Sequence, residues 1–403
     1  MTTVEQKVER VARESYGRLL AFLAAQSGDV IKAEEALSDA FAAALETWPR
    51  RGEPNNPEAW LLSVARRKGI DEIRRQKTRT NLVNTLAKDA EEKAADISPA
   101  QTFPEHRLNL MFVCAHPAID SSIRAPLILN TVLGLTADRM ASAFLVKPSA
   151  MSQRLVRGKR KIRDARIRFS IPEPEDLPER LDAVLEAIYA AYGVAWENVA
   201  GQDGFAHSLS DEAIWLARIL VQQMPQEPEP RGLLALMLYC ESRKQARRGR
   251  DGSFIPLYDQ DTSLWNRPII DEAENELMSA SKMGKHGRFQ LEASIQSAHT
   301  ARINTGLVDW ETIATLYEGL VQIAPTIGAL VSRASTLAKA KDASFALAEL
   351  DRLPHQAVAN YQPFWALRFH LLNELGRNEE AEKARQQAIG LTEDPSVRAY
   401  LLS

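Results

Sequence analysis

Between Leu133 and Ile162 the side chains suited to chemistry are small polar groups and cations, not nucleophiles or metal ligands. Ser149, Ser152, Gln153, Arg154, Arg157, Lys159, Arg160 and Lys161 fall on one side at helical spacing, with Met151, Leu155, Val156 and Ile162 on the other. Small polar groups at a helix start suit base edges, and arginines and lysines behind them suit phosphates. The pattern predicts a helix that reads the DNA major groove. A short helix precedes it, with Thr136 as N-cap and Met140, Ala141, Phe144 and Leu145 as its apolar positions. Val146-Lys147-Pro148 separates the two, because proline lacks an N–H and disfavours helix at the residue before it. The pair reads as a helix-turn-helix; the plainer reading is a helical hairpin with a solvated basic face.

A second set lies near the amino end. Pro49 to Pro57, which holds Asn55 and Asn56, is a turn-rich loop of the kind that carries function on a rigid scaffold. It leads into a basic helix, Trp60 to Arg75, which carries Arg66, Arg67, Arg74 and Arg75. An aromatic ring beside cations suits melted or single-stranded nucleic acid, where bases leave the stack; Trp60 fits a core anchor equally well. Upstream, Asp29 caps a predicted helix from Val30 to Trp48, which buries Ala33, Leu37, Phe41 and Leu45 and exposes Glu34, Glu35 and Asp39. Such an acidic face is commonly only solvated, and a docking surface for a basic partner is the sharper alternative. Two other groupings lead nowhere further. Cys114 and His116 form no complete metal site, and Asp259 with Asp261 has neither a histidine nor a phosphate loop beside it. No catalytic residue, metal or cofactor is expected, and an enzyme acting on nucleic acid is the least favoured class.

The elements that position these groups are helical throughout. The chain has 403 residues, 45% hydrophobic and 26% charged, enough for two or three domains, and no alternating β-branched run proposes a sheet. An all-α fold follows. The formal charge of −3 hides an asymmetry, because His106 to Ser170 holds twelve lysines and arginines against three acids, a net of +9. A basic segment in an acidic chain points to a polyanion partner. The start of the chain is charged and lacks the apolar core of a secretory signal, and no apolar run is long enough to span a membrane. With only two cysteines, Cys114 and Cys240, the expected location is the cytoplasm. The expected organisation is a helical domain at 1–77, a polar linker at 78–105, the basic domain at 106–170 and a helical body at 175–403 after the proline-rich Ile171 to Pro178. From Asp309 onward Ile313, Ala346 and Ala381 recur at about the 34-residue period of tetratricopeptide repeats. The last unit is the clearest, with Trp365, Leu372, Gly376 and Ala388 at its aromatic and small positions.

Asp29 to Phe41, Trp60 to Arg75 and Leu133 to Ile162 together resemble regions 2 and 4 of bacterial sigma factors, in the order of the extracytoplasmic-function class. RLNLMFVCAHPAI at 107–119 and FLVKPSAMSQRLVRGKRKIRD at 144–164 resemble the subgroup with a tetratricopeptide-like C-terminal extension. ALMLYCESRKQARR, LYDQDTSLWN, GRFQLEASIQSAHT and DWETIATLYEGL look like blocks of that extension. The resemblance implies a dissociable sigma factor that directs core RNA polymerase to promoters. Glu34, Glu35, Asp39 and Phe41 would dock on the β′ clamp helices. Asn55, Asn56, Trp60, Arg66, Arg67, Arg74 and Arg75 would take the minus-10 element, and the helix from Ser149 the minus-35 element. A regulatory protein is the candidate partner of the extension. The sequence departs from the pattern in four places: Arg67 stands where many members have asparagine, Ser38-Asp39 replaces a common Gln-Glu pair, His106 follows a single Glu105 where paired acids are common, and Thr326 to Ala338 matches the extension's pattern poorly. The rival expectation is a helix-turn-helix regulator that works without polymerase, its helical body sensing a ligand or a protein.

Overall fold

A computed structural model describes residues 4–52, 54–77, 99–141, 144, 146–165, 167, 169, 172, 175–197, 204–392 and 394–402. The fold is all-α: helices and short 3-10 turns succeed one another, and among the described residues the only β pairing is one isolated bridge between Arg248 and Phe254. The chain forms two compact units, residues 1–194 and 195–403.

The first unit starts with α1 (Val4–Ser27), α2 (Val30–Arg51) and α3 (Pro57–Lys77). Asp29 caps α2 by accepting from the amides of Ile31 and Lys32 at 3.0 and 3.2 Å, as the sequence predicts. The helix then outruns its predicted end at Trp48. Pro49 sits within its last turn, and Gly52 stops it at φ 84°, donating its N–H to the Trp48 carbonyl. A proline loses one intrahelical bond there, while the positive-φ glycine closes the end and shortens the loop to a few residues. The side-chain pattern of α2 also differs from expectation. Leu37 is fully buried, but Leu45 is 46% exposed and Phe41 only half-buried. The buried stripe is instead Ala33, Leu37, Ala40, Ala44 and Trp48, a regular i, i+4, i+7, i+11, i+15 series.

The basic domain is built on α4 (Pro99–Cys114) and α5 (Ser121–Leu133), both heavily buried, followed by α6 (Ala137–Ala141) and α7 (Pro148–Asp164). Gly134 ends α5 in the left-handed region, at φ 66°. The first helix of the predicted helix-turn-helix is shorter than expected: Phe144 lies in the turn after α6. Pro148 is the first residue of α7 rather than part of the break, a position where the missing N–H costs nothing. Gly17 of α1 crosses α5 so closely that a Cβ there would lie 1.7 Å from the Val132 carbonyl oxygen. The two predicted domains therefore pack directly on each other within this unit. Residues 78–98 of the predicted linker lie outside the described residues, and 99–105 are helical. Helix α8 (Leu177–Glu197) follows, with Glu179 paired to Arg124 at 3.2 Å.

In the second unit α10 (Pro228–Ser242) is buried over nearly its whole surface and lies between its neighbours α9 (Gly204–Gln223), α11 (Arg267–Ser281) and α12 (Arg288–Thr300). The start of α12 has only Gly287 as its cap, and Glu229 supplies what glycine lacks by accepting from the amides of Phe289 and Gln290 at 2.9 and 3.2 Å. Antiparallel helices then continue to the carboxyl end, among them Trp310–Ile323, Ile327–Ala340, Ala343–Asp351, Gln362–Glu374 and Asn378–Leu391. Ile313, Ala346 and Ala381 occupy buried positions on three of them.

Candidate nucleic-acid interface

Helix α7 sorts its residues by period. Met151, Leu155, Gly158 and Ile162 face inward, and Gly158 is close enough that a Cβ would stand 3.1 Å from Ile123 Cγ2. Ser149, Ser152, Gln153, Val156, Arg157 and Arg160 form an exposed stripe, with Lys161 beside it. Val156, expected on the apolar side, is 58% exposed, because it is five residues from Met151 and so more than a quarter-turn off the inner face. A small apolar contact between polar neighbours suits a thymine methyl in a groove.

Two cations leave the stripe. Lys159 reaches the Glu34 carboxylate of α2, which also accepts from the Tyr16 hydroxyl at 3.1 Å. Arg154 lines an open cleft of about 460 Å³ together with Phe144, Arg124, Glu179 and Asp182. Glu34 is thus half-buried and committed, not solvent-facing as the sequence led us to expect, while Glu35 and Asp39 are exposed. Burial, reinforced by the Glu34 charge and hydrogen bond, pushes the Tyr16 phenol far above its ordinary range, so it stays a donor. Periodicity could not reveal this pairing: Glu34 and Lys159 are far apart in the chain, and only tertiary packing joins them.

Near the loop, Asn55 is exposed, and Asn56 accepts from the Ala59 amide at 3.0 Å, capping α3. Trp60 meets Trp48 edge-to-face with ring centres 5.6 Å apart, so the anchor reading of Trp60 has a physical basis. Arg66 donates to Gln26 at 3.0 Å and lies 5.0 Å over the Phe22 ring, and burial lowers its pKa; Arg67 is exposed. The side chains of Arg74 and Arg75 lie outside the described residues. Arg18, Ser15 and Glu58 form a hydrogen-bonded knot that fastens α1 to α3. The net charge of the basic domain overstates its outward field. Arg107 and Arg124 are buried, and Arg124 donates to the carbonyls of Ile119 and Pro117 at 2.9 and 3.1 Å. The Cys114 thiol, pushed up to about 12 by burial, lies 3.2 Å from Thr131 Oγ1.

The chain is 37% identical over 373 residues to an uncharacterized protein of Rhizobium meliloti (strain 1021), an overlap of 92% of this chain and 88% of that one. The chain belongs to that protein's family. Within it, residues 11–79 match sigma-70 region 2, which supports a sigma-70 family factor. Residues 180–281 match a family of unknown function, DUF6596. No solved structure matches. Region 2 here is the α1–α3 bundle, and its presence supports a role in transcription initiation with core RNA polymerase and promoter DNA as partners. No described helix of this family member is long and apolar enough to cross a membrane.

Proposed function

We propose that the chain is an RNA polymerase sigma factor of the extracytoplasmic-function kind, with a tetratricopeptide-like regulatory extension after residue 175. The observation that carries this is the sigma-70 region 2 match at 11–79, followed in the same chain by a helix with Ser149, Ser152, Gln153, Arg157 and Arg160 on one open face. Glu35 and Asp39 on α2 offer carboxylates to a basic clamp surface on core polymerase. Asn55, Arg67 and the loop before α3 take the minus-10 element, and the α7 stripe takes the minus-35 element. The chemistry of RNA synthesis belongs to the polymerase. This chain supplies position, with phosphate contacts setting affinity and base contacts setting choice. The tetratricopeptide reading of the extension rests on the spacing of Ile313, Ala346 and Ala381 and on the antiparallel helices that bury them.

Run-off transcription with reconstituted core polymerase tests the proposal. Specific transcripts should appear only with this chain present, and Asp39→Arg should reduce polymerase capture while leaving the helix content unchanged. Promoter binding by the chain alone, with no polymerase retained in a pull-down, would establish the polymerase-independent regulator instead.

A further inference from the structure

In the second unit, three stretches that the promoter-reading function leaves unused close on one cleft. The end of α10 brings Tyr239 and Arg243, the loop after it brings Leu257 and Trp265, and α12 brings Gln296 and His299. Tyr239, Trp265 and His299 are 2%, 5% and 7% exposed, and Tyr239 Oη, Trp265 Nε1 and His299 Nδ1 have no hydrogen-bond partner in the protein. Ser297 stands close to the tyrosine hydroxyl, out of hydrogen-bond geometry, and the Glu274 carboxylate also acts on that hydroxyl. Folded proteins pair nearly all such atoms, so three lining one cleft call for an occupant. The cleft is a closed seam with no room for a whole water molecule, so water does not serve them in this conformation.

The chemistry of the walls selects the occupant. The Tyr239 hydroxyl and the Trp265 indole are donors, and Arg243 spends Nη2 on Gln296, at 2.7 Å, and on Cys240 Sγ. The charges that reach His299 and Tyr258 are those of Arg243 and Arg302, both cationic, and burial together with those two charges lowers the His299 pKa to about 4, leaving the ring neutral. Asp259 is the carboxylate facing Arg302 from the loop. A narrow, donor-rich cleft with two guanidiniums beside His299 against one carboxylate at Tyr239 suits a compact acceptor with negative charge. The loop between Arg248 and Asn266 consists of two single 3-10 turns, Leu257–Asp259 and Thr262–Leu264, held by Arg302 through the carbonyls of Leu257, Tyr258 and Gln260 at 2.7, 2.9 and 3.0 Å. That guanidinium also lies 4.8 Å over the Trp265 ring, so it sets both the loop and the indole.

We propose that this cleft is a binding site for a small anion, a carboxylate or an inorganic oxyanion, held by Arg243 with the Tyr239 hydroxyl and the Trp265 indole as the loop wall steps back. The site gives the extension a small-molecule input, and it stands or falls separately from the sigma reading, because its occupancy is read without polymerase or DNA.

The experiment is isothermal titration of the full chain with inorganic phosphate and, separately, with sodium acetate, at an ionic strength fixed with chloride. One of the two should bind saturably at one site. The dissociation constant should rise at least tenfold in Arg243→Gln and in Tyr239→Phe, and the unliganded Tyr239→Phe chain should melt higher, since it loses a buried hydroxyl that had no partner. Should Arg243→Gln fail to fold, Tyr239→Phe, which removes one oxygen, decides alone. Absence of saturable heat from both probes overturns the proposal. So does binding that is unchanged in Tyr239→Phe, which means an adventitious ion only, and so does a Tyr239→Phe chain less stable than the parent, which makes the hydroxyl a structural group.

Discussion

The ion pair between Lys159 and Glu34 joins the helix proposed to read DNA to the helix proposed to dock on polymerase, and its strength is measurable. The two side chains are 22% and 20% exposed, and the Tyr16 hydroxyl donates to the same carboxylate. An exposed pair contributes about 0–1 kcal/mol, whereas a hydrogen bond to a charged group shielded from water contributes about 1.5–3 kcal/mol. Four-fifths burial with a third partner puts this pair in the upper range, so a coupling of about 2 kcal/mol is expected. The perturbation is a double-mutant cycle of Lys159→Met and Glu34→Gln. Each single change strands a half-buried partner and should cost about 2 kcal/mol, while the double variant should recover part of that loss. Urea unfolding read by hydrogen exchange at peptides from α2 and α7 reports on this unit without interference from the other. A coupling below about 0.5 kcal/mol would show that the contact is solvent-screened decoration and would refute the reasoning.

Other expectations follow from single sites. Gly17→Ala places a methyl group against the Val132 carbonyl and should destabilise the first unit by more than about 3 kcal/mol in chemical denaturation, an overpacking that backbone cannot relieve. Arg157→Ala should weaken promoter binding by about 1 kcal/mol and lower the slope of log affinity against log salt by about one, while Gln153→Ala should shift base preference in a substitution series with the salt slope unchanged. His299 is neutral in the fold to about pH 4 but protonates near 6.5 when unfolded, so stability should fall as pH drops from 6.5 to 4 and level off below, by up to about 3 kcal/mol. In His299→Phe that share of the slope should be lost from thermal melts across the same window, leaving the shares of His116 and His370, whose pKa values burial also lowers.

Local order was legible in the sequence where it has local causes. The cap at Asp29, the break before α7 and the inward Met151, Leu155 and Ile162 follow from side-chain chemistry within a few residues. What the sequence hid was tertiary. Periodicity assigned Leu45 and Val156 to the core, but the stripe is decided by which neighbour a helix meets, and small alanines in α2 set that contact instead. Glu34 and Lys159 counted as two interface residues and turn out to satisfy each other. Arg107 and Arg124, counted toward an outward positive field, are spent on carbonyls inside the domain. The anion cleft was out of reach for the same reason: Tyr239, Trp265 and His299 fall in three of the blocks that resemble the extension, but their shared lack of partners exists only once those distant stretches have met.

The edge-to-face contact of Trp48 with Trp60 has a mechanical consequence. One ring sits in the last turn of α2 and the other in the first turn of α3, so the two helix ends that flank the loop are held together. Such a corner transmits torque instead of absorbing it. A tilt imposed on α2 by whatever grips its acidic side would swing Asn55 and the base of α3 through the same angle, as the two arms of a bell crank turn together about one pin.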